Sequence, residues 1–569
     1  MSRFAMLITY REVFDREPHL DELHSMLKKY ARREVVAFLG KLNCLLGTWK
    51  NTPQTELDAK LSNFILGRHR QRLEAIRKGP IDRIVLSRLT LLYVLKQACL
   101  ACPEEGLNLT TEPSKNDLGV CCLMANDLVL PFIPSPSDNI LRKLSNILPF
   151  CDYVSLDHYP MEIARTQMIL EDIVQLPAIK ERSDFIDLAN LFNERFKISA
   201  TTFCELVFGC ATKSLDVSPE KLESAPEALV LRDTYFQHSK VPPESVAQFF
   251  RKVAITEAEL ANRIRESHNR PGDDLTLLQQ FPMIEIVQGR FLCLDPGFLV
   301  EKAGTGFYWA LFSEVSPNLR DKLPGFWGSV FETYVNSVLG QSYAGFGRFI
   351  PEPRFENGDA SFDACIVEGR DLIVFEHKSS VIRADAKYGG DVTKLENQLR
   401  LKFVEGDKDE PKGVTQLSRN LSRFLGGDKL GGVLEAKDIS RVYPVLVCLE
   451  GSVVVPYMAR YFRDQFKEIY PRKKYPQVVT PLFTLGITDV ENLLGFLAMF
   501  KLSEILESYY SNNKAMLSPI SSSDVPLLKN VSPGKNLVKD RFSEFAERMV
   551  KNLFGEEAAL EATKQKKQG

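Results

Sequence analysis

Three residues that could share one reaction stand close together in an otherwise apolar part of this 569-residue sequence. Phe362-Asp363-Ala364 sets a carboxylate among apolar and small neighbours. Thirteen residues after Asp363, the run Ile373-Val374-Phe375-Glu376-His377-Lys378 adds a second carboxylate and, two positions on, an ammonium. If both segments are strands, period-two alternation puts Glu376 and Lys378 on one face, with Phe375 and His377 on the other. The turn at Glu368-Gly369-Arg370 is short enough to bring Asp363 alongside Glu376. Carboxylates held that closely repel each other unless a cation lies between them. Hard oxygen ligands, few in number and completed by water or phosphate, suit Mg2+ or Mn2+. A lysine beside such an ion can orient or deprotonate a water and stabilise charge developing on phosphorus. The plainer alternative is an exposed Glu–Lys pair at a strand end. Against it, Glu and Lys are rarely placed inside a strand of Leu, Ile, Val and Phe without a functional reason.

Asp363 followed by Glu376-His377-Lys378 on consecutive strands resembles the bipartite motif of the PD-(D/E)xK, or restriction-endonuclease-like, nuclease superfamily. Two further segments extend the resemblance. Gly328-Ser329-Val330-Phe331-Glu332-Thr333-Tyr334-Val335 looks like the family's first helix, which commonly carries a glutamate facing the metal site. Gln416-Leu417 opens the helix after the second strand, where several branches place a glutamine. The resemblance spans roughly residues 320 to 500. Phe362 stands where the motif has proline, and the polar stretch from 383 to 412 is longer than a minimal core needs. That stretch is either a substrate-contacting loop or an insertion.

The resemblance implies an α/β restriction-endonuclease-like core, a mixed central sheet flanked by helices. It implies Asp363, Glu376 and the backbone carbonyl of His377 as ligands of Mg2+ (or Mn2+), with Lys378 at the attacking water. Glu332 would lie just outside these ligands or hold a second ion. Gln416 would contact phosphate or position water, and the imidazole of His377 would pack away from the chemistry. The implied reaction is hydrolysis of a nucleic-acid phosphodiester, leaving a 5′-phosphate and a 3′-hydroxyl. DNA is the expected substrate and RNA the alternative. Two other readings compete: a binding module that has lost cleavage, and a site-specific restriction endonuclease.

Between residues 460 and 474, six basic residues (Arg460, Arg463, Lys467, Arg472, Lys473, Lys474) are interleaved with Tyr461, Phe462, Phe466 and Tyr470, and Tyr475 follows. Such a cluster can neutralise phosphates while its aromatics stack on bases. The same spacing equally fits an amphipathic helix whose aromatics face a core. Cys99-x-x-Cys102 with Cys121-Cys122 is a weak zinc pattern, because the first pair lies on an apolar helix. Glu301-Lys302-Ala303-Gly304-Thr305-Gly306 lacks the Gly-Lys-Ser/Thr ending of a phosphate loop.

The elements that must hold these residues follow from periodicity. Helix-period patterns dominate residues 1–275: Leu20 to Leu46, Leu57 to Ile76, Ile81 to Ala101, Met161 to Leu176 and Asp184 to Phe208. Turns are expected at Pro53, Gly106, Pro134 to Pro136 and Pro242-Pro243. A hairpin turning at Gly289 and a helix fill 276–319 as a connector. Residues 320–510 alternate helix and strand: a helix from Pro324 to Leu339, strands at Ala360–Val367, Asp371–His377, Val442–Leu449 and Val478–Leu485, and a helix from Thr488 to about Tyr510. Residues 511–569 read as a linker, an amphipathic helix from Leu537 to Phe554, and a lysine-bearing tail.

A hydrophobic fraction of 44%, a charged fraction of 26% and a net charge of −2 are those of a globular chain of several domains. Any nucleic acid must therefore meet a local basic surface. No secretory leader is legible at the N-terminus, and the apolar run Ile84 to Cys102 is broken by Arg88 and Lys96, which argues against a membrane span. Eleven cysteines scattered through apolar runs point to a reducing, cytoplasmic setting. A large helical module ahead of a compact nuclease is similar to bacterial anti-phage or abortive-infection effectors. The expected partners are then DNA and a trigger such as a phage component.

Overall fold

The apolar patterns of the first half fold as helices, but as shorter ones than the periodicity predicts. The computed structural model describes residues 6–47, 54–129, 139–148, 159–215, 227–267, 274–343, 345–407, 410–431, 433–455, 457–470, 475–512 and 525–555. The turns expected at Pro53 and Pro134 to Pro136, the 513–524 part of the linker and the lysine-bearing tail lie outside these residues. The expected Leu20–Leu46 helix is two, Leu20–Leu27 and Arg32–Leu46. Its break has a partner: Ala31 donates its amide to Leu107 (3.1 Å), and Leu107 donates to Lys29 (3.0 Å). The Asp184–Phe208 pattern also splits, because Lys197 adopts φ +56° and ends the Leu188–Phe196 helix before Ala200–Leu215 begins. The pattern from Met161 becomes helix α1 (Tyr159–Met168) followed by a wider turn over Ile169–Ile173.

The hairpin is present, with Gly289 at φ +70°, but it is not a free-standing connector. It forms the middle of a four-stranded sheet built from β1 (Val230–Arg232), β2 (Ala254–Thr256), β3 (Met283–Val287) and β4 (Arg290–Cys293), in the order β1-β4-β3-β2. The two outer strands have three residues each, too few for alternation to be visible in a sequence.

The second half is mixed α/β. Helix α2 runs Pro317–Ser342, longer than expected, with Pro324 inside it. Six of the strands that follow form one sheet: β5 (Arg348–Pro351), β6 (Ala364–Glu368), β7 (Asp371–Lys378), β8 (Arg441–Cys448), β9 (Val478–Val479) and β10 (Phe483–Gly486). The first three are antiparallel neighbours in chain order; β8 joins β7 in parallel, and β9 and β10 both lie parallel to β8. The single strand expected over Val478–Leu485 is interrupted at Pro481, which has no amide to donate to the ladder. Helices α3 (Gly413–Leu425), α4 (Met458–Ile469), α5 (Ile487–Leu493) and α6 (Leu537–Phe554) complete the part that matters for the site.

Strand parity divides the core in two. Ile373 and Phe375 of β7, Ala364 and Ile366 of β6, and Tyr443, Val445 and Val447 of β8 belong to one continuous core that also takes in the N-terminal helices and α6. Leu372, Val374, Cys365, Val442, Leu446 and Cys448 face a second core closed by α3, α4 and the Val392–Leu399 helix. The polar stretch from 383 to 412 is thus not an open loop. Its Leu395, Leu399, Phe403 and Val404 are buried in that second core. Among the described residues no helix is long and apolar enough to cross a membrane. Cys99, Cys102, Cys121 and Cys122 are buried free thiols.

Candidate active site

Register brings the two carboxylates together. Ala364 pairs with Phe375 across the β6–β7 ladder, so the next pair outward sets Asp363 opposite Glu376 on the same face. The tight turn that fixes this register has Glu368 opposite Asp371 and Gly369 at φ +65°. β6 begins later than expected, yet Asp363 is still tied to the ladder. Its amide donates to Phe375 O (3.1 Å), and its Oδ2 accepts the His377 amide (2.6 Å). From α2, Asn336 donates its side-chain NH2 to the Asp363 carbonyl oxygen (3.1 Å). Glu332 lies one helical turn before Asn336 on the same face of α2.

Glu376 is fully buried, and its two oxygens differ. Oε1 accepts from Lys378 Nζ (2.6 Å) and from the Gly413 amide at the start of α3 (3.2 Å). With its amide turned so that the NH2 group faces its acceptors, Gln416 donates to the same Oε1 (3.1 Å) and to Pro411 O (3.2 Å). Oε2 is buried with no partner among the described residues. An orphaned buried oxygen of this kind is costly unless something else binds it.

Electrostatics point the same way. Burial, then repulsion from Asp363, pushes the Glu332 carboxyl up to about 8; Lys378 opposes the rise, and Glu376 and Glu352 add to it. Burial also raises Asp363 and Glu376, in each case against the pull of Lys378. The lysine itself is held firmly protonated, its burial outweighed by Glu376, Asp363 and Glu332. Three carboxylates therefore share one ammonium. Among the described residues, no three or more His, Cys, Asp or Glu side chains are arranged as a metal-ligand group. The ligand set implied above needs only two, with a main-chain carbonyl. The missing positive charge and the orphaned Oε2 fit a hard cation.

His377 behaves as parity predicts. Its ring is buried on the opposite face with Phe375, neither ring nitrogen has a partner among the described residues, and burial drives its pKa down to about 3. The basic cluster is only partly described, since Arg472, Lys473 and Lys474 lie outside the described residues. Arg460 and Lys467 are exposed on α4, and Arg460 and Arg463 lie near Asp464 (3.5 and 3.6 Å). The aromatics do not form a base-stacking surface. Tyr461, Phe462 and Phe466 are buried in the second core and Tyr470 stacks on Phe466, so the amphipathic-helix alternative holds for them.

Four contributors were not legible beforehand. Asn336 could have been found from its i+4 spacing to Glu332, and Gly413 from its place at the helix start. Glu352, at φ +43° in the loop after β5, donates its amide to Asp363 O (3.0 Å), and the charges of Glu332 and Glu352 reach Arg182 of the helical half. Arg182 arrives from a distant segment and leaves no local signal, whereas Glu352 follows from the pairing of β5 with β6. Comparison of the chain with family models, curated proteins and solved structures gives no match.

Proposed function

We propose that this chain is a metal-dependent nuclease with a restriction-endonuclease-like core, hydrolysing phosphodiester bonds of nucleic acid, DNA in preference to RNA. The observation that carries the reading is the gathering of Asp363, Glu376 and Glu332 around the ammonium of Lys378, with Glu376 Oε2 left without a partner among the described residues. Asp363, Glu376 and the His377 carbonyl would hold Mg2+ or Mn2+, which when bound lowers the pKa of water and neutralises phosphate charge. Lys378 presents its ammonium to the attacking water and to the charge that develops on the phosphoryl oxygens. Gln416 and the Gly413 amide keep Glu376 Oε1 oriented, leaving Oε2 for the ion. Glu332 supplies a protonatable carboxyl beside Asp363, or a ligand for a second ion. His377 packs.

The helical half is the seat of control in this reading, because it shares one core with the back of the catalytic sheet. That layout supports an effector role, and we extend the proposal to anti-phage defence with a phage component as trigger.

The deciding experiment incubates the purified chain with supercoiled, linear and single-stranded DNA and with RNA, in Mg2+, Mn2+ or EDTA. Metal-dependent cleavage is expected, falling by at least about a thousandfold in Asp363→Ala and Lys378→Ala. Cleavage that survives either substitution or EDTA would overturn the site. Cleavage that appears only with phage lysate would add the trigger, whereas nucleic acid bound but never cut would favour a binding module.

A further inference from the structure

The helical half delivers one charged group to the rim of the site that the nuclease reading leaves without a role. After the turn at Ile169–Ile173, the chain forms the short Pro177–Lys180 helix and runs back against α2. There the Phe185 ring meets Phe326 edge-on, with centroids 5.9 Å apart. Phe326 precedes Glu332 by six residues on α2, less than two turns. The Phe185 amide donates to Arg182 O (3.2 Å), so Arg182 is fixed close to this anchor. Its hydrogen bonds go to Asp184, Nε to Oδ1 at 2.8 Å and Nη2 to Oδ2 at 3.0 Å, and the charges of Glu332 and Glu352 act on it more weakly than Asp184 does. Both side chains of the pair are about a third exposed (38% and 34%), and Lys322 of α2 is the other charge facing Asp184.

We propose that Arg182 is a phosphate-binding residue of the site, supplied by the helical half and held by Asp184 until a nucleic-acid phosphate replaces that carboxylate. The proposal rests on the nuclease reading and adds the residue that grips the substrate backbone. A guanidinium fork offers a phosphate the same two parallel donors that it offers a carboxylate. An ion pair this exposed is weakly held, so exchange is easy. If Arg182 served only to balance the acidic cluster, its fork would lie on Glu332 or Glu352 rather than on Asp184.

The test compares the wild type with Arg182→Ala, Arg182→Lys and Asp184→Asn on a fluorophore-labelled DNA duplex over a range of salt. Cleavage kinetics are read in Mg2+ and binding by anisotropy in Ca2+. Arg182→Ala should raise KM and Kd at least about fivefold with kcat little changed, and should reduce the slope of log Kd against log salt by about 0.9, the loss of one phosphate contact. Arg182→Lys should recover part of the loss. Asp184→Asn should move KM and Kd the other way, because it frees the fork. If the pair merely holds the loop, both substitutions break it alike, and parallel shifts would overturn the proposal. So would an Arg182→Ala enzyme with unchanged KM and salt slope. A wild type that neither binds nor cuts overturns the nuclease reading and this proposal together. A wild type that cuts while the variants move in parallel overturns this proposal alone.

Discussion

Glu332 shows how the charge imbalance of the site should appear in solution. Its carboxyl rises from 4.5 in the unfolded chain to about 8 in the fold, so the native state binds the proton more tightly. The stability this contributes is fully present below 4.5 and is lost as pH rises through about 8. Asp363 and Glu376, also raised, act in the same direction. His377 acts oppositely. Its pKa falls from 6.5 to about 3, so its contribution is present above 6.5 and lost as pH drops. The window between 6.5 and about 8 is therefore where the carboxylates are read alone. In EDTA, the urea midpoint should fall across that window, and added Mg2+ should flatten the fall by taking the proton's place. A midpoint that holds or rises in EDTA would contradict the charge assignment. At this scale Asp363, Glu376 and Lys378 were legible because a two-residue turn leaves the chain little choice of register. Arg182 was not, because it reaches the site from a distant segment; Glu352 was not, because the four-residue β5 that places it was too short to read as a strand.

At the scale of elements, α3 and α2 carry the burden of positioning. Gly413 opens α3 at φ +57°, and a Cβ there would overlap the carbonyl oxygen of Phe403. Gly413→Ala should cost more than about 1 kcal/mol in urea denaturation and should reduce cleavage further, since the Gly413 amide holds Glu376. Preserved stability and cleavage would show that the helix start can shift without disturbing the site. Helix α2 is anchored two residues beyond Glu332. Tyr334 donates to Glu491 of α5 (2.6 Å), and Arg165 of α1 grips the same carboxylate through Nε and Nη2 (2.7 and 2.8 Å). Glu491→Ala strands a buried guanidinium, and a loss of about 3–5 kcal/mol is expected by denaturant unfolding. A loss below about 1 kcal/mol would mean that the network does not hold α2. The boundaries of α6 were legible from amphipathic period and its closing glycine, and of α3 only the opening at Gln416-Leu417 was. The break at residues 28–31 was not, because it depends on what the freed backbone pairs with, whereas the one at Pro481 follows from proline's missing amide.

Across the whole molecule, the far end of the described chain packs against its first half. Helix α6 sets Arg541 and Arg548 on Glu171 (2.9 and 2.8 Å), sets Asn552 on Glu205 (2.9 Å), and buries Phe545, Met549 and Leu553. Phe545→Ala is expected to cost about 3–5 kcal/mol. The substitution should lower stability of the six-stranded sheet along with that of the helices, because both lie in one core. Hydrogen exchange of β7 amides unaffected by Phe545→Ala would show instead that the halves unfold separately.

The sequence by itself determined the local grammar of this protein: helix and strand periods, the β6–β7 turn, and through strand parity the face on which Glu376 and Lys378 would meet. These follow from interactions a few residues long, where stereochemistry leaves few options. Tertiary structure decided the rest. It paired three-residue strands into a sheet and buried Leu395, Leu399, Phe403 and Val404 of the 383–412 stretch in the second core. It brought Arg182 toward the site and left Glu376 with one oxygen bonded and the other without a partner among the described residues. Each of those outcomes depends on which distant surface is buried against which, and no window of sequence contains both partners.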